Sequence, residues 1–432
     1  MSHKSFFKYL GCSILALNLH ATEVYTVDEL IVKSLQNSPE LKVTSLNYKA
    51  SQKQYDISYA NYLPRVDLKA AASKVGMSDL SNQSRMIDDT VLLGKLSVKQ
   101  IIYDFGKTGA NVDVAKYDSE ATLMQNIQKI SDKKREVKGA YYTVLQANAL
   151  INVQNENVKL NAAQLYRAKK YFKAGIRTKI DISDAKVNLI RAKIELKNAL
   201  YNLKLAYASL DKIVGFNSLS SDYKVYTPQL HLNTLYQSVY DYDLSLSDSI
   251  LYAYDNRAQL KASSLNVKSV NATIAANKSQ YYPALYFNAD YTKQSLDTFK
   301  QFQPQDQWQA GVTLNWNLYE GGATQSQTQR SKILTSVESF KQLDLKLKIK
   351  ENVTKHYINL HRNKDTLELA QSLMEASAQK FYQASKRYEH DLSDYIELEQ
   401  ARQGYINAKA SLIINYYNYY IAVANLENAI GR

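Results

Sequence analysis

The sequence predicts a mainly α-helical chain written as two tandem copies of one unit. Each copy runs helix, strand, strand, long helix, helix, and its strands contribute to a small membrane β-barrel. Three observations carry this prediction. An apolar residue returns every seven positions at Leu123, Ile130, Val137, Val144, Ile151, Val158, Leu165 and Phe172, with no proline in the run. The stripe recurs 216 residues later at Val353, Leu360, Leu367, Met374, Phe381 and Tyr388. Each copy also carries a pair of segments in which apolar and polar residues alternate with period two. A seven-residue repeat held this long keeps one seam against a partner only in a left-handed coil, since a straight helix drifts about 20° per heptad. At about 1.5 Å per residue, such a helix is on the order of 100 Å long, too long for the core of a compact domain.

The chain of 432 residues has 13 glycines and five prolines, few for that length, which fits a helix-dominated protein. Its N-terminus reads as a secretory signal over residues 1–21. Lys4 and Lys8 supply charge, Tyr9 to Leu19 the apolar part, and Leu19-His20-Ala21 a cleavage site. Leu10-Gly11-Cys12 resembles a lipobox, but Lys8 interrupts the apolar run before it and that run continues beyond it. Cys12 is the sole cysteine, so the mature chain is expected to lack disulfides and thiolate chemistry. After the N-terminus no stretch of 18 apolar residues occurs, so any membrane span must be made of strands.

The first copy (22–215) opens at Thr26-Val27-Asp28-Glu29-Leu30, a helix start, with a break at Pro39 and an end at Pro64. From Arg65, Val66, Leu68, Ala70 and Ala72 alternate with their neighbours; a polar loop is expected from Ser78 to Asp89, and Leu92, Leu96 and Val98 alternate again. The long helix follows Gly106, turns at Lys173-Ala174-Gly175, and returns as a helix from Ile180 to Val214 before Gly215. Residues 216–248, with Pro228, form an irregular linker, and the second copy (249–432) repeats the order. There Leu285, Phe287, Ala289 and Tyr291 form one face, and Trp308, Ala310, Val312, Leu314, Trp316 and Leu318 another. Landmarks recur with the copies: Tyr103-Asp104-Phe105-Gly106 maps onto Tyr319-Glu320-Gly321-Gly322, and Tyr62-Leu63-Pro64 onto Tyr281-Tyr282-Pro283.

An ordinary half-buried sheet would alternate in the same way. The two tryptophans argue for lipid: Trp308 and Trp316 lie on one face, about 26 Å apart along an extended strand, matching aromatic girdles bounding an apolar band about 25 Å tall. Four strands cannot close a barrel, and an open edge cannot face lipid, so a membrane reading requires an oligomer.

The net charge of +13 comes from basic residues scattered at helix-compatible spacing, which indicates solvated helix faces and no nucleic-acid partner. No catalytic, cofactor or metal motif stands out. Gly106-Lys107-Thr108 lacks the earlier glycine of a phosphate loop, its position being Ile101, and His356 and His361 are wrongly spaced for a helical zinc site. No enzyme activity is expected.

In order, these elements resemble the TolC-type outer-membrane efflux and secretion channels, over residue 24 to the end. The most specific piece is Gly175-Ile176-Arg177-Thr178-Lys179-Ile180-Asp181-Ile182-Ser183-Asp184, which matches the family's Gly-x-Arg-Thr-x-x-Asp-x-x-Asp turn. The resemblance implies a homotrimer with a shared twelve-stranded barrel in the outer membrane lipid of a Gram-negative bacterium and a helical tube, an α-barrel, across the periplasm. It implies an inner-membrane transporter and a periplasmic adaptor as partners, for a tripartite efflux pump or type I secretion system. It implies docking tips at Gly175, Ile176, Arg177, Thr178, His390, Asp391, Leu392 and Ser393. It also implies a periplasmic gate with an acidic constriction. In the family those acids lie in the second copy, where Glu397 matches the first, Gln400 stands for the second, and Glu399 lies beside them. The full pair, Asp181 and Asp184, is in the first copy, where the alternative reading has both carboxylates stabilising the N-terminus of the return helix. Tyr388 keeps the family's tyrosine, whereas Ser393 and Asp391 replace its arginine and glycine. A soluble periplasmic coiled-coil scaffold or adaptor is the competing reading, and it has no use for two strand pairs with lipid-like faces.

Overall fold

The computed structural model describes residues 23–78, 86–216, 223–239, 241–296, 305–390 and 392–432. The expected signal peptide with Cys12, and Asp391, lie outside them.

The two copies correspond element by element in chain order. Helices α1 (Val27–Asn37) and α2 (Pro39–Tyr59) correspond to α5 (Leu246–Asn256) and α6 (Ala258–Lys278). The long helices α3 (Lys107–Lys173) and α7 (Ala323–Glu389) are both 67 residues, about 100 Å at the usual rise, and the return helices α4 (Lys179–Val214) and α8 (Tyr395–Ile430) are both 36. Thr26 caps α1 in a reciprocal box with Glu29, and Pro39 takes the first turn of α2, where its missing N–H costs nothing. Helix α5 opens at Leu246, inside the stretch read as the linker.

Gly215 and Gly431 end α4 and α8 with φ of +82° and +85°. A Cβ on Gly215 would stand 3.1 Å from the carbonyl of Asn37, and one on Gly431 would stand 3.1 Å from Cα of Arg257. Glycine therefore serves two purposes here: it takes the left-handed conformation, and it lets each return helix abut the joint between the two short helices of its own copy.

Four strands form one antiparallel sheet in the order β2 (Arg65–Ser78), β3 (Met86–Tyr103), β5 (Ala284–Leu296), β6 (Gln305–Asn315). Both ends of the expected Ser78 to Asp89 loop are strand, since the ladder pairs Ser78 with Met86 and Gly76 with Asp88. The register sets Leu68, Leu96, Tyr291 and Trp308 in one row and Val66, Val98, Ala289 and Ala310 in the next. Asp67, Ser97, Asp290 and Gln309 make a row of the opposite face. β6 ends at Asn315, so Trp316 and Leu318 lie beyond the strand. There the indole Nε1 of Trp316 donates to the Tyr281 carbonyl at 3.1 Å, and Asn317 bonds Glu320 to start the corner into α7.

That corner needs two consecutive left-handed residues. The second copy uses Gly321 and Gly322, at φ +61° and +80°, whereas the first uses Phe105 (φ +50°) and Gly106 (φ +85°). The ring of Phe105 stacks on Tyr282 at 4.8 Å, a contact that offsets the strain of a non-glycine residue there. Tyr62, Tyr103, Tyr281, Trp316 and Tyr319, close in sequence to the ends of the strands, are all exposed.

Below the sheet, α3 packs against α2, α4, α6 and α8, and α7 against α5, α6 and α8. Two cores result, one around Leu30, Val137, Val144, Leu210 and Val214, the other around Ile349, Val353, Leu360, Leu412 and Leu426. The heptad seam behaves differently in the two copies. In α7, Val353, Leu360, Leu367, Met374 and Tyr388 are all buried. In α3, Val137, Val144 and Ile151 are buried, but Phe172 is exposed and the buried positions become Asn157, Asn161, Gln164 and Ala168. The buried positions of α3 thus move back by one, from Val158 and Leu165 to Asn157 and Gln164. A short parallel pairing of β1 (Glu23–Tyr25) with β4 (Tyr223–Val225), absent from the sequence expectations, ties the start of the chain to the linker.

Candidate functional site

The far ends of the long helices are two hairpin tips held together by a small core of their own: Ala168, Ala185, Ala384, Tyr388, Tyr395, Leu398 and Ala401. Alanines on α3, α4, α7 and α8 let four helices approach closely, and the tyrosines fill the remaining space. In the first hairpin, Gly175 at φ +77° closes the turn, with its N–H donating to Phe172 O and that of Ile176 to Tyr171 O. The second closes with the Leu392 N–H donating to Arg387 O at 2.8 Å.

Arg177 joins the hairpins. Its Nη2 donates to the Ser393 carbonyl at 3.3 Å, and its guanidinium lies over the Tyr388 ring, 5.2 Å from the centroid. Tyr388 is 1% exposed, and burial raises the pKa of its phenol above the ordinary value, against the opposing charge of Arg177. Arg177 is thus turned into the site, while Ile176 and Leu392 are exposed at the tips. Gly175, Thr178 and His390 are also exposed, and Ser393 is half-buried as the acceptor for Arg177.

Within one chain the four predicted acids form no cluster. Asp181 accepts from the Thr178 N–H at 2.8 Å and from its hydroxyl at 3.0 Å, a capping box that starts α4. Asp184 is exposed. Glu397 pairs with Arg387 across the second turn at 3.4 Å. Glu399 accepts from Nε of Arg402 at 3.0 Å, and this buried guanidinium also bonds Oδ1 of Asn157 on α3. The Arg402 to Asn157 link had no signal in the sequence, because a polar residue inside a heptad helix reads as surface until the helix packed against it is known. Other ties between the hairpins are Arg167 to Glu389 at 3.3 Å and Asn188 to the Tyr395 hydroxyl at 2.9 Å.

At the other end, the sheet has an uncovered apolar face. Leu68 is 80% and Trp308 77% exposed, with Val312 and Leu314 beside them. Among the described residues no helix is long and apolar enough to cross a membrane, and no group of ligating side chains is placed to hold a metal.

A duplicated chain that joins a four-stranded apolar-faced sheet to paired helices about 100 Å long defines a membrane-anchored conduit subunit. It belongs to the outer membrane efflux protein family, whose model matches residues 30–216 and 251–432. Among its relatives is the probable efflux pump outer membrane protein TtgC of Pseudomonas putida, 20% identical over 94% of this chain and 82% of that protein. The alkaline protease secretion protein AprF of Pseudomonas aeruginosa is 26% identical over 42% of this chain and 37% of that one. The fold is shared with CusC, at a TM-score of 0.81, 16% identity, and coverage of 94% of this chain and 92% of that one. It is shared too with the outer membrane protein VceC of Vibrio cholerae, at 0.79 and 16%, covering 94% and 96%. The chain is an outer-membrane protein whose helices reach into the periplasm.

Proposed function

We propose that three copies of this chain form a passive exit duct for an efflux pump or a type I secretion system, opened at its helical tips by a periplasmic adaptor and an inner-membrane transporter. The observation that carries this reading is the sheet. β2 and β6 are its edges, each with an unpaired row of backbone N–H and C=O groups beside an exposed apolar face. In lipid every such group must be paired, at several kcal/mol each, so β6 of one copy must pair with β2 of the next until the barrel closes. Three copies supply twelve strands. The exposed stripe of Ile180, Val187, Ile194 and Tyr201 on α4 recurs every seven residues, and Ile333, Phe340 and Leu347 do the same on α7. A neighbouring copy covers such stripes when helices close into a tube. A soluble scaffold would leave Trp308 and Leu68 in water. The duct itself does no chemistry.

Purified protein reconstituted in planar bilayers tests this directly. Discrete conductance steps are expected, and a gene deletion should raise susceptibility to exported compounds or abolish secretion of a protein. A detergent-purified protein that conducts no ions would refute the reading.

A further inference from the structure

The two tips are equivalent by duplication but opposite in electrostatic character. Between Arg167 and Lys193 the chain carries nine Lys and Arg against two carboxylates, whereas the equivalent window 383–409 carries four against five. In the second tip the charges neutralise one another: Glu389 pairs with Lys386 and Arg167, Glu397 with Arg387, and Glu399 with Arg402. In the first tip Lys169, Lys173, Lys179 and Lys186 are exposed, with no carboxylate in ion-pair range among the described residues. Phe172 and Ile176 are exposed between them. A cluster of like charges repels itself unless something of opposite sign covers it.

We infer that the first-copy hairpin is the docking site for an acidic segment of the periplasmic partner, a loop or helix end bearing Asp or Glu around an apolar residue, and that the second-copy hairpin takes a different part of that partner. This rests on the proposal that an adaptor binds the tips. An anionic bilayer would also attract lysines. It is disfavoured because a closed ring of copies alternates basic tips with tips whose carboxylates equal or outnumber their cations, and a uniformly negative surface would repel every second one. A protein surface of alternating charge fits all of them. The first tip thus gives the partner its rotational register on the duct, and the second, lacking free cations, cannot substitute for it.

The test uses the full-length protein in its own cells, with a photo-crosslinking phenylalanine derivative at Ile176 and, separately, at Leu392. The expected product at Ile176 is a periplasmic protein joined at a segment with at least two carboxylates within about six residues. Lys173→Glu with Lys179→Glu should lower that yield roughly tenfold, since two attractive contacts per copy become repulsive. Replacing the partner's carboxylates by lysine should restore it. Crosslinking to a segment without net negative charge, or a yield unmoved by the double charge reversal, overturns the inference while leaving adaptor docking intact. Phospholipid as the main product at Ile176 overturns it in favour of the membrane. No protein product at either position removes the docking proposal and this inference with it.

Discussion

Arg177→Ala should unlatch the duct. In each chain this residue ties the first hairpin to the second, and its described contacts include a charged hydrogen bond to the Ser393 carbonyl and a face-on contact with Tyr388. A cation over an aromatic ring contributes about 0.5–1 kcal/mol when exposed and about 2 when desolvated. A hydrogen bond of 3.3 Å at a half-exposed rim contributes roughly 0.5–1 kcal/mol. About 1–2 kcal/mol per chain is therefore lost, and in the proposed trimer three chains opening together lose about 3–6 kcal/mol. At 1.4 kcal/mol per factor of ten, the ratio of closed to open states should fall by roughly 10² to 10⁴. Single-channel recording in planar bilayers measures it as open probability. Arg177→Lys should be intermediate, keeping the charge but losing the planar contact, and Tyr388→Leu should reproduce part of the effect. An open probability for Arg177→Ala within about threefold of the parent would show that this tie does not hold the tips.

Val312→Lys places a charge on the apolar sheet face and should cost about 2–4 kcal/mol near the middle of the band, seen as loss of folded protein from outer-membrane fractions, whereas Asn288→Lys on the other face should be tolerated. Gly215→Ala should destabilise by roughly 1–3 kcal/mol, from a left-handed backbone and the 3.1 Å approach to Asn37, and lower the thermal unfolding midpoint. Acid should weaken the α2 to α3 contact. Glu40 is held below the ordinary carboxylate range by its hydrogen bond to Lys133, so its contribution is present above that range and fades as pH falls through the lowered value. Burial pulls Lys133 down, but hydrogen bonds to Glu136 and Glu40 outweigh it and leave the ammonium above its ordinary pKa, so its contribution holds at neutral pH and fades only at strongly alkaline pH. Lys133→Met should accordingly flatten the acid limb of a stability profile measured by denaturant unfolding.

Much of this architecture is legible in the residues because it rests on periodicity. The heptad stripe, the 216-residue offset and the strand alternation each follow from one geometric rule applied over many positions. What was not legible depends on contacts between distant segments. Phe172 continues the stripe in sequence yet is exposed, because beyond Ile151 the buried positions of α3 become Asn157, Asn161, Gln164 and Ala168, and only the helices packed against them decide that. Trp316 keeps the strand's parity but leaves the strand, drawn to the Tyr281 carbonyl of the preceding helix. At the tips the turn motif marks the hairpin, but not the contacts inside it. Arg177 turns inward to the second hairpin, and Asp181 serves the helix start of its own copy. Local spacing cannot tell a lumen-facing acid from a capping one.

The central claim is that one chain holds only part of a wall that neighbours complete. Native mass spectrometry of the protein extracted from outer membranes in mild detergent measures it most directly. The account predicts a particle of three chains. A stable single chain would contradict it.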